Sequence, residues 1–149
     1  MLEFYKTFED GTRKIDAAEP GCWINAVAPT EEERNYLIEE IGVLPEFVKS
    51  SLDEEESSHI DDDFRQTLVI VDYPSADDEQ TGEDFTTLQY TTLPLGVVIL
   101  KGYIVTISLH ENYNIEDMAQ QRIKGIDTRL KTRFLLLLVL RISQRYLIY

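Results

Sequence analysis

The chain has 149 residues, of which 43% are hydrophobic and 28% are charged, and its net charge is −14. This length and composition fit one folded domain over residues 1–149 and exclude a disordered chain. Because nucleic acids and anionic lipid headgroups bind basic surfaces, the acidic balance argues against both as binding partners.

Charge is unevenly distributed along the chain. Residues 1–100 contain 24 acidic and 6 basic side chains, whereas residues 101–149 contain 4 acidic and 8 basic ones. The acidic part attracts cations diffusely, although a solvated surface is the simpler interpretation of such charge runs. We expect the basic residues between Arg122 and Arg133 to pair with acidic neighbours, in this chain or in another subunit, and not with nucleic acid.

The sequence contains no pattern typical of a secreted or membrane-spanning chain. Cys22 is the single cysteine, so no intrachain disulfide can form, and this fits a reducing compartment. The first residues do not form a signal peptide. The longest apolar run, Phe134–Leu140, is much shorter than the roughly 20 residues that a spanning helix needs.

In chain order, the first half predicts two strands and then two helices. The β-prone segments 2–8 and 22–28 predict the strands. Thr30 and Glu33 have the spacing of a capping box, which predicts a helix start. Pro45 predicts a second, short helix, because proline is tolerated in a first turn.

The second half predicts several strands followed by two helices. The predicted strands are His59–Phe64, Thr67–Tyr73, Val97–Leu100 and Tyr103–Leu109. Lys101 and Gly102 separate the last two strands and indicate a hairpin. A turn is predicted at Asn112–Asn114, followed by helices at Ile115–Lys124 and Thr132–Tyr149. This order predicts a layered α/β domain with a mixed, largely antiparallel sheet.

The last predicted helix, residues 132–149, is apolar on most sides and lacks a terminal glycine, asparagine or proline. A helix of this kind must be buried or meet a partner. We therefore expect the natural chain to continue past Tyr149, with 132–149 beginning a longer helical region.

Motifs for catalysis and nucleotide binding do not occur in the sequence. There is no G-x-S-x-G and no phosphate-binding glycine loop, and His59, His110 and Cys22 are too few for a four-ligand zinc site. We therefore predict no catalytic residues.

Carboxylates offer the better candidates for ligand binding. They cluster at Asp53–Glu56, Asp61–Asp63, Asp77–Glu79 and Glu83–Asp84. Their oxygens suit hydrated Mg²⁺, but none of the clusters has the EF-hand spacing. For each cluster alone, a solvated acidic surface is the simpler interpretation.

Five short segments together carry a family resemblance. They are Trp23-Ile24, Val43–Val48, Asp61–Val71, Leu95–Ile107 and Phe134–Tyr149. They match, in order, a tryptophan–aliphatic pair, a proline-initiated helix, an acidic turn before a core strand, a hairpin with a late threonine, and an apolar helix before a stalk. In this combination, over most of the chain, they resemble the N-terminal cytoplasmic domain of CorA-type divalent-metal transporters.

The resemblance implies an α/β/α sandwich that acts as a regulatory domain and not as an enzyme. It implies a homopentamer at the cytoplasmic face of the cell membrane, anchored by a stalk and membrane helices beyond residue 149. It also implies that intracellular Mg²⁺, Co²⁺ or another divalent cation binds between subunits and holds the pore closed.

One departure concerns the regulatory metal. Well-known members of the family carry an acidic pair in the short second helix, where this chain has Lys49 and Ser50. A charged lysine cannot ligate Mg²⁺. Asp53, Glu54 and Asp61 are the remaining candidates for metal ligands. The alternative function is a free-standing α/β interaction module or a small hydrolase that shares only the layout.

Overall fold

One mixed sheet forms the middle layer of this computed structural model, which describes residues 1–76 and 90–148. In chain order its strands are β1 (Leu2–Phe8), β2 (Gly11–Ile15), β3 (Cys22–Val27), β4 (His59–Asp63), β5 (Gln66–Ala76), β6 (Tyr90–Leu100) and β7 (Tyr103–Ser108). Across the sheet the order is β2-β1-β3-β7-β6-β5-β4. Only β3 and β7 run parallel among these strands. The predicted mixed, largely antiparallel sheet is confirmed.

Helices cover both faces of this sheet. In chain order they are α1 (Glu31–Tyr36), a π-helical turn (Leu37–Ile41), α2 (Pro45–Ser51), α3 (Tyr113–Ala119) and α4 (Lys131–Ile148). The first three pack on one side, called here the α1–α2 face, and the last two on the other, the α3–α4 face. The α/β/α layering is therefore confirmed. Within the described ranges, no helix combines the length and apolarity that membrane crossing requires.

Strict alternation along the central strands creates the two faces. In β3, Ile24 and Ala26 enter the apolar core under α1 and α2, while Trp23 enters the core under α3 and α4. In β7, Val105 enters the core under α1 and α2, while Ile104 enters the core under α3 and α4. Successive side chains of a strand point to opposite faces, so a strand buried on both sides contributes to two separate cores.

The predicted start signals of α1 and α2 are present in the structure. Thr30 Oγ1 accepts a hydrogen bond from the Glu33 N–H (3.2 Å), and Glu33 Oε1 accepts one from the Thr30 N–H (2.9 Å), which completes the capping box. Gly42 has a φ of 97° and terminates the π-helical turn. Pro45 occupies the first turn of α2.

The close contact of α2 with the sheet depends on Gly96. A β-carbon at this position of β6 would lie 1.9 Å from Ser51 Oγ and 2.4 Å from Ser51 Cβ. Ser51 is fully buried, and its hydroxyl donates to the Phe47 carbonyl at 2.7 Å. Glycine is therefore required because the helix approaches the strand too closely for a side chain.

Some sequence predictions differ from the structure. Asn112 does not form a turn: it caps α3, which begins at Tyr113 and ends at Ala119 well before the predicted Lys124. The early end coincides with Gln121, whose φ of 59° cannot continue a helix. Strand β2 was not predicted, because its sequence is mostly polar. In the structure only Thr12 of this strand is buried. The acidic clusters Asp77–Glu79 and Glu83–Asp84 lie outside the described residues.

Candidate functional site

The three predicted metal ligands lie on the surface in two separate elements. Asp53 and Glu54 are exposed in the turn after α2, and Asp61 is exposed in the edge strand β4. Asp53 Oδ1 accepts a hydrogen bond from the Glu55 N–H at 3.0 Å. In the part of the chain that the structure describes, no three His, Cys, Asp or Glu side chains form a group that could hold a metal ion. Their role as ligands remains a prediction.

The region where the family resemblance placed an acidic pair is an open groove between α1 and α2. Lys49 is exposed there and lines the groove together with Arg34 and Asp53, around a cavity of about 510 Å³. Ser50 is half-buried in α2. The ammonium group of Lys49 makes this groove unfavourable for a bare divalent cation.

The two histidines make local contacts in the part of the chain that the structure describes. His59 Nδ1 is 2.6 Å from the Ser57 carbonyl oxygen and 3.5 Å from a carboxylate oxygen of Glu56. His110 is exposed after β7, and its carbonyl accepts a hydrogen bond from Ser108 Oγ at 3.0 Å. Both contacts are local, within three residues along the chain.

A different site lies beyond the carboxyl ends of the parallel strands β3 and β7. After β3 the chain continues into α1 on one face, and after β7 it continues into α3 on the other. Ligands of open α/β sheets bind in the crevice that forms at such a switch point. Here the cavity measures about 280 Å³, and its wall includes Glu3, Asn25, Ser108, Glu111, Asn112 and Glu116. We call it the switch-point crevice.

Glutamates from three elements give the switch-point crevice its negative charge. Glu3 comes from β1, Glu111 from the loop after β7, and Glu116 from α3. The Tyr5 hydroxyl donates a hydrogen bond to Glu3. Burial of the phenol raises the pKa of Tyr5 above its usual range, and the neighbouring Glu3 carboxylate adds to this effect. Tyr5 is therefore a neutral donor at physiological pH.

The α-ammonium group of Met1 also lies at the rim, where it is held by other partners. It donates to Glu33 Oε1 at 2.7 Å and to the Val27 carbonyl at 2.9 Å. Partial burial opposes ionisation of Glu33, but hydrogen bonds from the ammonium group and from Thr30 outweigh it and lower the pKa of the carboxyl. Glu33, rather than a crevice glutamate, thus neutralises the N-terminus.

Asn25, in the wall of the switch-point crevice, belongs to a hydrogen-bonded polar network inside the core. Trp23 Nε1 donates to Thr106 Oγ1 at 2.8 Å, and this hydroxyl donates to Asn25 Oδ1 at 2.9 Å. All three side chains are buried. Fixed partners of this kind hold Asn25 in one orientation at the crevice wall.

Sequence reasoning did not identify the crevice glutamates, because Glu3 is more than one hundred residues away from Glu111 and Glu116. Glu3 lies in the predicted first strand, Glu111 precedes the predicted turn, and Glu116 lies in the helix predicted after that turn. The one local signal was Asn112, a residue type favoured at helix N-caps, three residues before an apolar position. Pairing β3 with β7 is what places these residues together.

A second polar cluster joins α3 to α4. Asp117 is buried and accepts hydrogen bonds from Arg141 Nη2 at 2.6 Å and Nε at 3.1 Å, and from Arg122 Nη1 at 3.2 Å. Arg129 forms a two-bond pair with Asp127, at 2.9 and 2.8 Å. The prediction that basic residues of this segment pair with acidic neighbours is confirmed for Arg122 and Arg129. Lys131 instead donates to the Leu100 carbonyl oxygen at 2.7 Å.

No protein-family model matches the sequence, and no curated protein matches it by sequence. Solved structures match its fold. The CorA magnesium transporter from Methanocaldococcus jannaschii matches with a TM-score of 0.75 and 20% identity, over 98% of this chain and 45% of that chain. The soluble domain of CorA from the same organism matches with a TM-score of 0.74 and 23% identity, over 98% of this chain and 57% of that chain.

The ZntB cytoplasmic domain from Vibrio parahaemolyticus is also similar, with a TM-score of 0.69 and 13% identity over 95% of this chain and 57% of that one. The chain thus spans about half the length of the solved proteins it matches. At identities this low, a structural match establishes the fold, while function has to be argued from the site. The resemblance found in the sequence is confirmed at this level: the chain has the α/β/α fold of the CorA soluble domain.

Proposed function

We propose that this chain is the soluble domain of a CorA-type transporter of divalent metal ions, at the cytoplasmic face of the cell membrane. The observation that carries the proposal is the fold, which matches the CorA magnesium transporter over 98% of the chain. The exposed leucines of α4 add support, since Leu136 and Leu140 form an apolar stripe on a helix whose other side is already packed.

The domain would act by sensing intracellular Mg²⁺, or Co²⁺ and related cations, at contacts between subunits of a homopentamer. Without a cation, facing carboxylates repel one another, and a bound cation removes this repulsion and favours one arrangement of the subunits. Asp53, Glu54 and Asp61 are exposed and belong to no three-ligand group in the described residues. A site built on them would need ligands from a neighbouring subunit or from water.

A transport assay tests the transporter assignment. The complete product of the gene that encodes residues 1–149 is expressed in a bacterial strain that lacks its own magnesium uptake systems. Growth at low Mg²⁺ is expected with the complete protein and not with a version that lacks its membrane segments. A gene product without a long stalk helix and two apolar segments would overturn the assignment and favour the free-standing interaction module or hydrolase.

Thermal unfolding tests cation sensing separately. If Mg²⁺ binds the native state, millimolar MgCl₂ should raise the melting temperature by about 3 °C over chelator at equal ionic strength. The triple variant Asp53→Asn, Glu54→Gln, Asp61→Asn should lose this shift. The matched control removes three other exposed charges, with Glu39→Gln, Glu40→Gln and Glu46→Gln. An equal shift of the melting temperature in both variants would mean that Mg²⁺ acts only by general screening of surface charge.

A further inference from the structure

We propose that copies of this domain join edge to edge, through antiparallel pairing of strand β4 of one copy with strand β2 of the next. This contact goes beyond the proposed function, which leaves open which surfaces of neighbouring copies meet, and it does not depend on transport by the complete protein. Four features of the two outer strands support it: their exposure, their charges, their directions and the register that these allow.

The two outer strands of the sheet are exposed. β2 and β4 stand at opposite ends of the strand order, so each has a neighbour on one side only among the described strands. Gln121 covers the start of β2, where its side-chain amide donates to the Thr12 carbonyl oxygen. At the other edge, Ile60 in β4 and Phe64 directly after it are 71% and 99% exposed. The outer backbone groups of such a strand are a template for pairing with another chain.

The two outer strands carry opposite charges. β4 contains three consecutive aspartates, Asp61–Asp63, whereas β2 contains Arg13 and Lys14 and no acidic residue. Arg13 and Lys14 are 59% and 63% exposed, and their carboxylate partners in the same chain lie at 3.5 and 3.9 Å, so these pairs contribute little. Like charges oppose pairing of β4 with β4 and of β2 with β2. Charge therefore selects the pairing of β4 with β2.

The strand directions fit the same arrangement. Followed across the sheet from one pairing to the next, β4 runs opposite to β2. A second copy placed beside the first in the same orientation therefore presents its β2 antiparallel to β4. The α1–α2 faces of both copies then lie on the same side of one continuous sheet.

The geometry of β1 fixes how β2 presents its groups. Lys14 lies opposite Tyr5, which packs in the core under α3 and α4, so Lys14 belongs to that face and Arg13 to the α1–α2 face. Met1 and Val27 exchange two backbone hydrogen bonds of 2.9 Å, so every second residue of β1, including Tyr5, directs its backbone groups at β3. The N–H and C=O of Lys14 therefore point away from β1, toward the outer side.

The geometry of β5 does the same for β4. Asp61 lies opposite Leu68, which packs in the core under α1 and α2, so Asp61 and Asp63 belong to that face and Asp62 to the α3–α4 face. A two-residue turn, Phe64-Arg65, joins β4 to β5. The residues that flank such a turn form a hydrogen-bonded pair, so the backbone groups of the preceding Asp62 point to the outer side.

One register satisfies faces, backbone groups and charges together. It places Lys14 of one copy opposite Asp62 of the other and Arg13 opposite Asp63, each pair on a shared face. A slip of one residue moves every side chain to the other face, and a slip of two leaves at most one charge pair. Because two different strands meet, the contact repeats from copy to copy and builds a closed ring or an open chain.

Charge-swap variants test the contact by sedimentation velocity at micromolar to millimolar protein concentrations. One variant carries Asp62→Lys and Asp63→Lys in β4, and the other carries Arg13→Glu and Lys14→Glu in β2. The wild-type chain should self-associate, and each variant alone should do so about tenfold more weakly, because like charges then face each other. An equimolar mixture of the two variants restores opposite charges and should associate about as strongly as wild type.

Two further measurements separate this contact from a general effect of charge. Glu39→Lys with Glu40→Lys on the π-helical turn changes the net charge as the β4 variant does, at exposed positions away from both outer strands, and should not weaken self-association. In the wild-type chain, the amide resonances that shift with protein concentration should be those of β2 and β4. Unchanged circular dichroism of each variant establishes that it folds.

Several outcomes would overturn the proposal. A wild-type chain that stays monomeric at millimolar concentration would leave the acidic β4 edge to a basic segment of another protein. A mixture of the variants that associates no better than either alone would exclude the pairing of β4 with β2, and so would concentration-dependent shifts confined to other elements. None of these results bears on transport by the complete protein, so the two proposals fail separately.

Discussion

The two faces of the sheet receive different side chains from the same strands. β3 presents Ile24 and Ala26 to the α1–α2 face but Trp23 and Asn25 to the α3–α4 face. In β7, Thr106 likewise joins a hydrogen-bonded network on the α3–α4 side. One face is therefore held by close apolar packing, and the other by aromatic packing combined with buried polar contacts.

Because of this difference, the stability of the two faces should respond to different changes. Close packing depends on side-chain volume and hardly on pH or salt, whereas ion pairs and hydrogen bonds depend on charge state and on complete pairing. The switch-point crevice opens where the polar network of the α3–α4 face reaches the surface. Changes in solution conditions should therefore act on α3 and α4 before they act on α1 and α2.

The largest effect is expected from Gly96→Ala on the α1–α2 face. The added methyl group would overlap with Ser51 Oγ and Cβ, so α2 must move away from β6. We expect a loss of more than about 3 kcal/mol in the free energy of unfolding, measured with urea. The matched test is the double variant Gly96→Ala, Ser51→Gly, which removes the overlap and should recover part of the loss. No recovery would show that the contact is not what holds α2 in place.

Thr106→Val tests the network on the opposite face without changing shape. The substitution leaves the Trp23 N–H and the Asn25 carbonyl oxygen buried without their shared partner. A loss of about 2–3 kcal/mol is expected in the same urea experiment. Thr106→Ser keeps the hydroxyl and should cost only about 1 kcal/mol for the lost methyl group. If serine were the more harmful change, packing and not hydrogen bonding would dominate this face as well.

Asp117→Asn tests whether charge joins α3 to α4. The carboxylate is buried, but the side chains of Arg141 and Arg122 are 36% and 61% exposed, which reduces the cost of leaving them unpaired. We expect a loss of about 2 kcal/mol, with faster amide exchange in both helices. Asp127→Asn, at the more exposed pair with Arg129, is the control and should have the smaller effect. Equal losses would contradict a special role for the buried carboxylate.

Local sequence signals predicted the parts of this fold that depend on neighbouring residues. The capping box of Thr30 and Glu33, the helix start at Pro45 and the hairpin at Gly102 all rest on residues within a few positions of one another. Gly102 has a φ of 87°, the conformation for which glycine is favoured in such a turn. Pro45 and Gly102 also belong to the segments that carried the family resemblance, which the fold confirmed.

Features that depend on distant pairing were not predictable in the same way. The switch-point crevice exists because β3 pairs in parallel with β7, which places Glu3 and Glu116 around one cavity. The Asp117–Arg141 contact likewise depends on how α4 lies against α3. In the sequence both features look like ordinary charged surface. Their burial and pairing arise from tertiary packing, which a local pattern does not contain.

The smallest expected effect concerns a charge on the otherwise apolar side, Glu33 at the start of α1. Its pKa is lowered in the folded protein, so its stabilising effect is fully present above the ordinary carboxyl pKa and is lost as the pH falls through the lowered value. Glu33→Gln retains a capping-box residue but loses the charge pair with the Met1 ammonium group, and should cost less than about 1 kcal/mol at neutral pH. Thermal unfolding of both proteins between about pH 7 and pH 3 should show this difference shrinking toward zero on acidification. A difference in stability that grew at low pH would mean that the neutral carboxyl of Glu33, and not its charge, stabilises α1.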